Sequence, residues 1–153
     1  MECRIMNLLQ QCRAMLTSPT GKPNLAPWSK MVVAGGSSNW SSEKKAFYIQ
    51  STSSNSDVYT PNYTYSGNYI KLTPGHYRLT CRVESASGKV RVLIFYAATP
   101  PGFSKVNDIR QETGIITYDF DITESVPWVC VRFGTTEYNQ TVYLYWTRIV
   151  KLY

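Results

Sequence analysis

Residues 76–83 read HYRLTCRV and residues 114–122 read GIITYDFDI. In the first stretch Tyr77, Leu79, Cys81 and Val83 interleave with His76, Arg78, Thr80 and Arg82. In the second Ile116, Tyr118, Phe120 and Ile122 interleave with Thr117, Asp119 and Asp121. Strand side chains alternate between the two faces of a sheet, so this period of two marks strands with one face packed inward and one turned outward. That is the pattern of an antiparallel sandwich and not of a parallel α/β sheet, whose strands are apolar throughout.

The pattern extends through the second half of the chain. Asn68 to Leu72 reads as a strand, Thr73-Pro74-Gly75 as a tight turn, and Ser85 to Gly88 as a hairpin leading into a strand from Lys89 to Ala97. Thr99-Pro100-Pro101-Gly102 opens a loop running to Thr113. Strands follow at 115–122, 127–133 and 141–152. In the first half, Met31 to Ala34 and Ala46 to Gln50 read as strands, with Gly35-Gly36-Ser37-Ser38 as a turn between them. Residues 51–67, STSSNSDVYTPNYTYSG, read as a long loop with one short strand near Val58. Strands and turns at this spacing predict an all-β, jelly-roll-like antiparallel β-sandwich.

Residues 4–16 have a different period. Ile5, Leu8, Leu9, Cys12, Met15 and Leu16 recur at three and four, as on one face of a helix, and Thr17-Ser18-Pro19 ends it. A helix this short is marginal alone in water, so its apolar stripe requires a partner. Two partners fit: the chain's own sandwich, or the same helix in a neighbouring subunit, because Ile5, Leu8, Cys12 and Met15 also form a short a/d seam. The chain therefore divides into an N-terminal helix over residues 1–18, a Pro-rich connector over 19–28, and one sandwich domain over 29–153.

Composition narrows the function. With 153 residues the domain can bury a core without staples. The 16 Lys and Arg residues exceed the 10 Asp and Glu, giving a net charge of +6, but they are scattered along alternate strand positions. Scattered charge describes a solvated face and not a nucleic-acid footprint, so no nucleic-acid partner is expected. Cys3, Cys12, Cys81 and Cys130 lack the spacing of a metal site and read as free thiols, with Cys81 inward and Cys130 on an outer face. The N-terminus lacks a signal-peptide pattern, and no segment reaches membrane-spanning length, so membrane insertion is not expected. Neither metal nor cofactor is called for.

The runs YIKLTPGHYRLTCRVES, KVRVLIFYA, GIITYDFDITESVPWVCVRF and TVYLYWTRIVKLY, with the corner Pro74-Gly75-His76-Tyr77 and the terminal Ile149-Val150-Lys151-Leu152, resemble the jelly-roll carbohydrate-binding modules. The resemblance covers roughly the last 85 residues. Similar domains are attached to glycan-degrading enzymes and recur in bacteriophage tail and baseplate proteins. The chain departs from that family in lacking a carboxylate cluster near its N-terminus for the structural calcium site. The resemblance implies a non-catalytic virion component, a phage tail, baseplate or head appendage made in the host cytoplasm. Its expected partners are other virion proteins, copies of itself in a homotrimer or ring, and host surface polysaccharide. A free-standing bacterial or prophage carbohydrate-binding protein is the alternative.

Hydrolysis would need a nucleophile with its base, paired carboxylates or a metal. The one histidine, His76, sits in a turn-to-strand corner. Asp119 and Asp121 share a strand face, where cross-strand ion pairs with Arg78, Arg82, Arg91 or Arg132 account for them more simply than acid–base work or Ca²⁺ binding. Sugar recognition asks instead for flat aromatic faces rimmed by polar groups. The outer positions of three strands supply Leu93 and Phe95, then Trp128, Cys130 and Arg132, then Tyr143 and Tyr145. In this register Val142, Leu144 and Trp146 face the core. If the three strands share a sheet, Phe95, Trp128, Arg132, Tyr143 and Tyr145 form one patch, either open to glycan or covered by another part of the assembly. The loops offer a second set, Tyr59, Tyr63, Tyr65 and Tyr138. If the N-terminal helix serves assembly, a chain lacking residues 1–16 keeps the far-ultraviolet circular dichroism of a folded sandwich and falls to monomer mass in light scattering. Unfolding of that truncated chain would count against the assembly role.

Overall fold

The computed structural model describes Leu25 and residues 32–34, 37–50, 57–59, 69–100, 102–135, 137 and 139–153, with the backbone alone for 32–34, 37–39 and 57–59. The expected helix over 1–18 and the connector over 19–28, Leu25 apart, lie outside the described residues. Those described form an all-β, jelly-roll-like antiparallel sandwich. In chain order the strands are β1 Val32–Ala34, β2 Ser37–Ser41, β3 Ala46–Gln50, β4 Asp57–Tyr59, β5 Ile70–Lys71 and β6 Gly75–Ser85. They continue with β7 Lys89–Ala97, β8 Lys105–Glu112, β9 Gly114–Ile122, β10 Trp128–Gly134 and β11 Thr141–Lys151. One sheet runs β1-β4-β10-β7-β8, with β5 also paired to β10; the other runs β2-β3-β11-β6-β9.

The alternation read from the sequence places the core. Tyr77, Leu79, Cys81 and Val83 of β6, Ile116, Phe120 and Ile122 of β9, and Val142, Leu144 and Ile149 of β11 point inward from the five-stranded sheet. They meet Val90, Val92, Ile94 and Tyr96 of β7, Ile109 of β8, and Val129, Val131 and Phe133 of β10. Each such aliphatic or aromatic side chain contributes about 1.5–3 kcal/mol on leaving water. Tyr77 and Tyr96 carry hydroxyls into this core and satisfy both. The Tyr77 hydroxyl donates to the Thr73 carbonyl at 2.7 Å, and that of Tyr96 accepts from Asn107 Nδ2 at 2.8 Å. Burial pushes the Tyr96 hydroxyl pKa upward.

The Thr73-Pro74-Gly75 corner fixes the C-terminal end. Gly75 has φ of 152°, and a Cβ there would collide with the Lys151 side chain and lie 2.7 Å from the Tyr153 carbonyl oxygen. The close approach is needed because His76 N–H donates to the Tyr153 carbonyl at 2.9 Å and Leu152 N–H to the His76 carbonyl at 2.7 Å.

Two segments differ from the sequence reading. The expected loop up to Thr113 contains β8, and the expected turn at Gly35-Gly36-Ser37-Ser38 runs into β2 at Ser37. Both are edge or near-edge strands. In β8 only Ile109 is buried, so the two-residue alternation that would reveal a strand is missing.

Replacing Gly75 with Ala therefore destabilises the protein by about 1–3 kcal/mol, the scale of a residue forced into a disfavoured backbone conformation. Leu79→Ala, at a fully buried position, costs about 2–5 kcal/mol. Urea denaturation followed by tryptophan fluorescence measures both; a change under about 0.5 kcal/mol, the usual range for a surface substitution, contradicts the packing described.

Candidate functional site

The outer face of the five-stranded sheet is shaped by one irregularity. From Val142 to Leu144 β11 pairs β6 with even-numbered residues inward, Leu144 lying opposite Val83. The register then shifts, so that Trp146 lies opposite Arg82 and Thr147 opposite Cys81. A β-bulge of this kind sets two residues against one on the partner strand. Tyr145 and Trp146 consequently both lie on the outer side, beside Tyr143. On the next strand Tyr48 is the partner of Tyr143, their ring centroids 6.1 Å apart. Tyr48, Tyr143, Tyr145 and Trp146 are each half-buried. Together they form an aromatic row across β3 and β11.

Polar groups of β6 hold this row. Glu84 accepts from Arg82 Nη2 at 2.7 Å and Nε at 3.1 Å through one carboxylate oxygen, and from the Tyr145 hydroxyl at 2.9 Å through the other. The Arg82 guanidinium also lies 4.3 Å from the centre of the Tyr145 ring, within cation–π range. The hydrogen bond from Arg82 holds the Glu84 carboxyl below its ordinary pKa, while burial and then the Glu84 contact push the Tyr145 hydroxyl up. Arg148 lies 5.8 Å from the Trp146 ring.

Farther along the same face Arg78 donates from Nε and Nη2 to the two oxygens of Asp119, both at 2.7 Å, and lowers the Asp119 pKa. His76 Nδ1 lies 2.6 Å from Asp121, and its ring stacks on Tyr153 at 5.0 Å. Asp119 thus has the cross-strand arginine partner that the alternation suggested, whereas the partner of Asp121 is His76 and not an arginine. Among the described residues no three His, Cys, Asp or Glu side chains are placed to hold a metal ion.

The other candidates from the sequence lie elsewhere. Phe95, Trp128 and Arg132 are on the outer face of the six-stranded sheet, so the aromatic patch that three coplanar strands would have made is divided between two sheets. Phe95 belongs to a second apolar cluster with Tyr69, Leu93, Ala97 and Cys130 and is only 8% exposed. Phe103 meets it edge-on at 5.3 Å, and Arg132 lies 4.2 Å from its ring centre. Lys71 is 5.8 Å from the Trp128 ring. A ring enclosed in this way offers no flat face to a ligand. Tyr59 is in β4, with its side chain outside the description; Tyr63, Tyr65, Tyr138, Ile5, Leu8, Cys12 and Met15 lie outside the described residues.

Sequence reasoning assigned Trp146 to the core and did not select Tyr48. A signal for the first existed: unbroken alternation from Val142 and Leu144 would carry the charged Arg148 into the core together with Trp146, whereas the buried residues there are Thr147 and Ile149.

No protein-family model matches the chain, and no curated protein sequence does. Solved structures do. BiXyn10A CBM1 in its unliganded form aligns over 79% of this chain and 89% of its own with a TM-score of 0.51 at 10% identity. A family 29 carbohydrate-binding module complexed with cellulohexaose aligns over 89% and 87% with a TM-score of 0.49 at 14% identity. A further family 29 mutant gives 0.48 at 16%, over 89% and 87%. The first of these likenesses establishes a shared fold: this chain has the β-sandwich of a carbohydrate-binding module.

The Glu84 contacts have a definite pH dependence. A carboxyl whose folded pKa is lowered contributes stability above its unfolded pKa and loses it as pH falls through the folded value. Glu84→Gln should therefore lower stability at neutral pH, by under about 1 kcal/mol because the pair is partly solvated. The difference from the native protein should vanish once pH falls below the glutamate range. Thermal melts of both proteins at neutral and acidic pH check this; a difference that persists in acid contradicts it.

Proposed function

We propose that this protein is a non-catalytic glycan-binding sandwich and that the aromatic row Tyr48, Tyr143, Tyr145 and Trp146 is its platform. The row carries the reading. Pyranose rings present apolar C–H patches edged with hydroxyls, and they suit half-exposed aromatic faces beside fixed hydrogen-bonding groups. Arg82 is matched by Glu84 and Arg78 by Asp119, and Arg148 lies beside Trp146, so the face offers both donors and acceptors next to the rings. Such groups suit the hydroxyls of a glycan. Support from fold alone is weaker, because one fold serves many functions. The neighbour with bound cellulohexaose illustrates that ligand for its own chain.

The setting we propose is a phage virion, with the domain as a tail, baseplate or head appendage that contacts host surface polysaccharide. It rests on the resemblance of residues 69–153 to modules that recur in such particles. Virion proteins and further copies of the chain are its proposed partners there.

A glycan array followed by calorimetry on the best ligand tests the platform. Trp146→Ala and Tyr143→Ala should each weaken binding by about tenfold or more, the scale of losing an interface aromatic. Trp128→Ala, on the opposite sheet, should leave affinity unchanged. No binding to any glycan, or sensitivity to Trp128 alone, overturns the assignment.

A further inference from the structure

The sandwich ends on one side in two successive edge strands, β8 of the six-stranded sheet and β9 of the five-stranded one. They are protected very differently. β8 carries Lys105, Asp108, Arg110 and Glu112, the charged pattern by which natural edges discourage pairing. β9, GIITYDFDI, has neither Lys nor Pro and pairs β6 without a register shift from Gly75↔Ile122 to Val83↔Gly114. Its two charges, Asp119 and Asp121, are drawn toward β6 by Arg78 and His76. Ile115, on its outer face, is 67% exposed. Among the described residues only β6 pairs with it, so one row of its backbone N–H and C=O groups is open.

The geometry points to β9 as a homodimer edge that pairs antiparallel with β9 of a second copy, centred on Thr117. A strand pairing with itself about a two-fold axis satisfies the same donors and acceptors on both chains. Centring on Thr117 sets Thr117 against Thr117 and Ile116 against Tyr118, a threonine pair and an aromatic–β-branched pair, both favourable across strands. It places Ile115 beside Asp119 and Asp121 beside Thr113. Carboxylates of the two copies then do not face one another, whereas centring on Phe120 would oppose Asp119 to Asp121. A two-fold axis through an antiparallel pair stands perpendicular to the sheet. The two five-stranded sheets therefore continue into one, and both aromatic rows face the same side. If the platform binds glycan, as proposed above, the dimer presents two sites to one polysaccharide and gains avidity.

Light scattering of the whole chain should give at least twice the monomer mass of 17.4 kDa. Ile115→Lys with Thr117→Lys should halve that mass with unchanged circular dichroism. Should that variant not fold, Thr117→Cys decides. Oxidation should link it into a covalent dimer on a non-reducing gel, while Thr80→Cys, on the same face of β6 but away from the edge, stays at the background of the native cysteines. A monomeric native chain, a mass unchanged in the folded lysine variant, or equal cross-linking of the two cysteine variants overturns the inference. None of these readouts involves glycan, so the edge can fail while the platform stands, and the reverse.

Discussion

The pairing of β6 with β11 is the constraint on which the rest of the structure depends. Both strands have eleven residues and lie side by side within the five-stranded sheet. Their inward residues, Leu79 opposite Ile149 and Cys81 opposite Thr147, close the core. Their outward residues, Arg82 opposite Trp146 and Glu84 opposite Tyr143, build the candidate platform. A ladder without interruption would have sent Trp146 inward with Leu144. The extra residue at the bulge turns it outward and sets a tyrosine and a tryptophan next to each other on a face already bearing Tyr143. The candidate platform and the core packing are thus joined in one local feature, a bulge of the kind that re-aims a side chain.

The two outer faces show what separates a surface from a core in this molecule. On the six-stranded sheet Leu93, Phe95 and Cys130 are almost fully buried and in contact with other apolar groups. On the five-stranded sheet the aromatics remain half-exposed and are held by charged groups. Glu84 shows how: by binding both Arg82 and the Tyr145 hydroxyl it fixes the angle of the ring and positions the cation over it. A ring held in this way loses less freedom on binding, which favours affinity through preorganisation.

Much of the fold was legible in the sequence because β6 and β9 alternate cleanly and the Pro74-Gly75 corner is unmistakable. The inward, buried place of Cys81 also followed from that alternation, whereas Cys130, read as outward, is buried in the apolar cluster on the outer face of the six-stranded sheet. Three features were not legible. β8 hides behind its charges, since an edge strand with one buried residue lacks the periodic signal. The division of β7, β10 and β11 between sheets is a matter of long-range pairing, and no local pattern states it; for that reason Phe95 and Tyr143 were read as neighbours. The outward turn of Trp146 depends on a bulge through which simple alternation fails, and its local sign is the charge of Arg148, two residues on in the same phase.

The direct test of the central claim is a two-dimensional NMR titration of the labelled protein with the oligosaccharide that binds most tightly on an array. Binding at the platform predicts shifts concentrated at Tyr48, Tyr143, Tyr145, Trp146 and their β6 neighbours Arg82 and Glu84, with the β7 and β10 residues unmoved. Shifts centred on Phe103 and Trp128, or on the Thr73 to Gly75 corner, would contradict it.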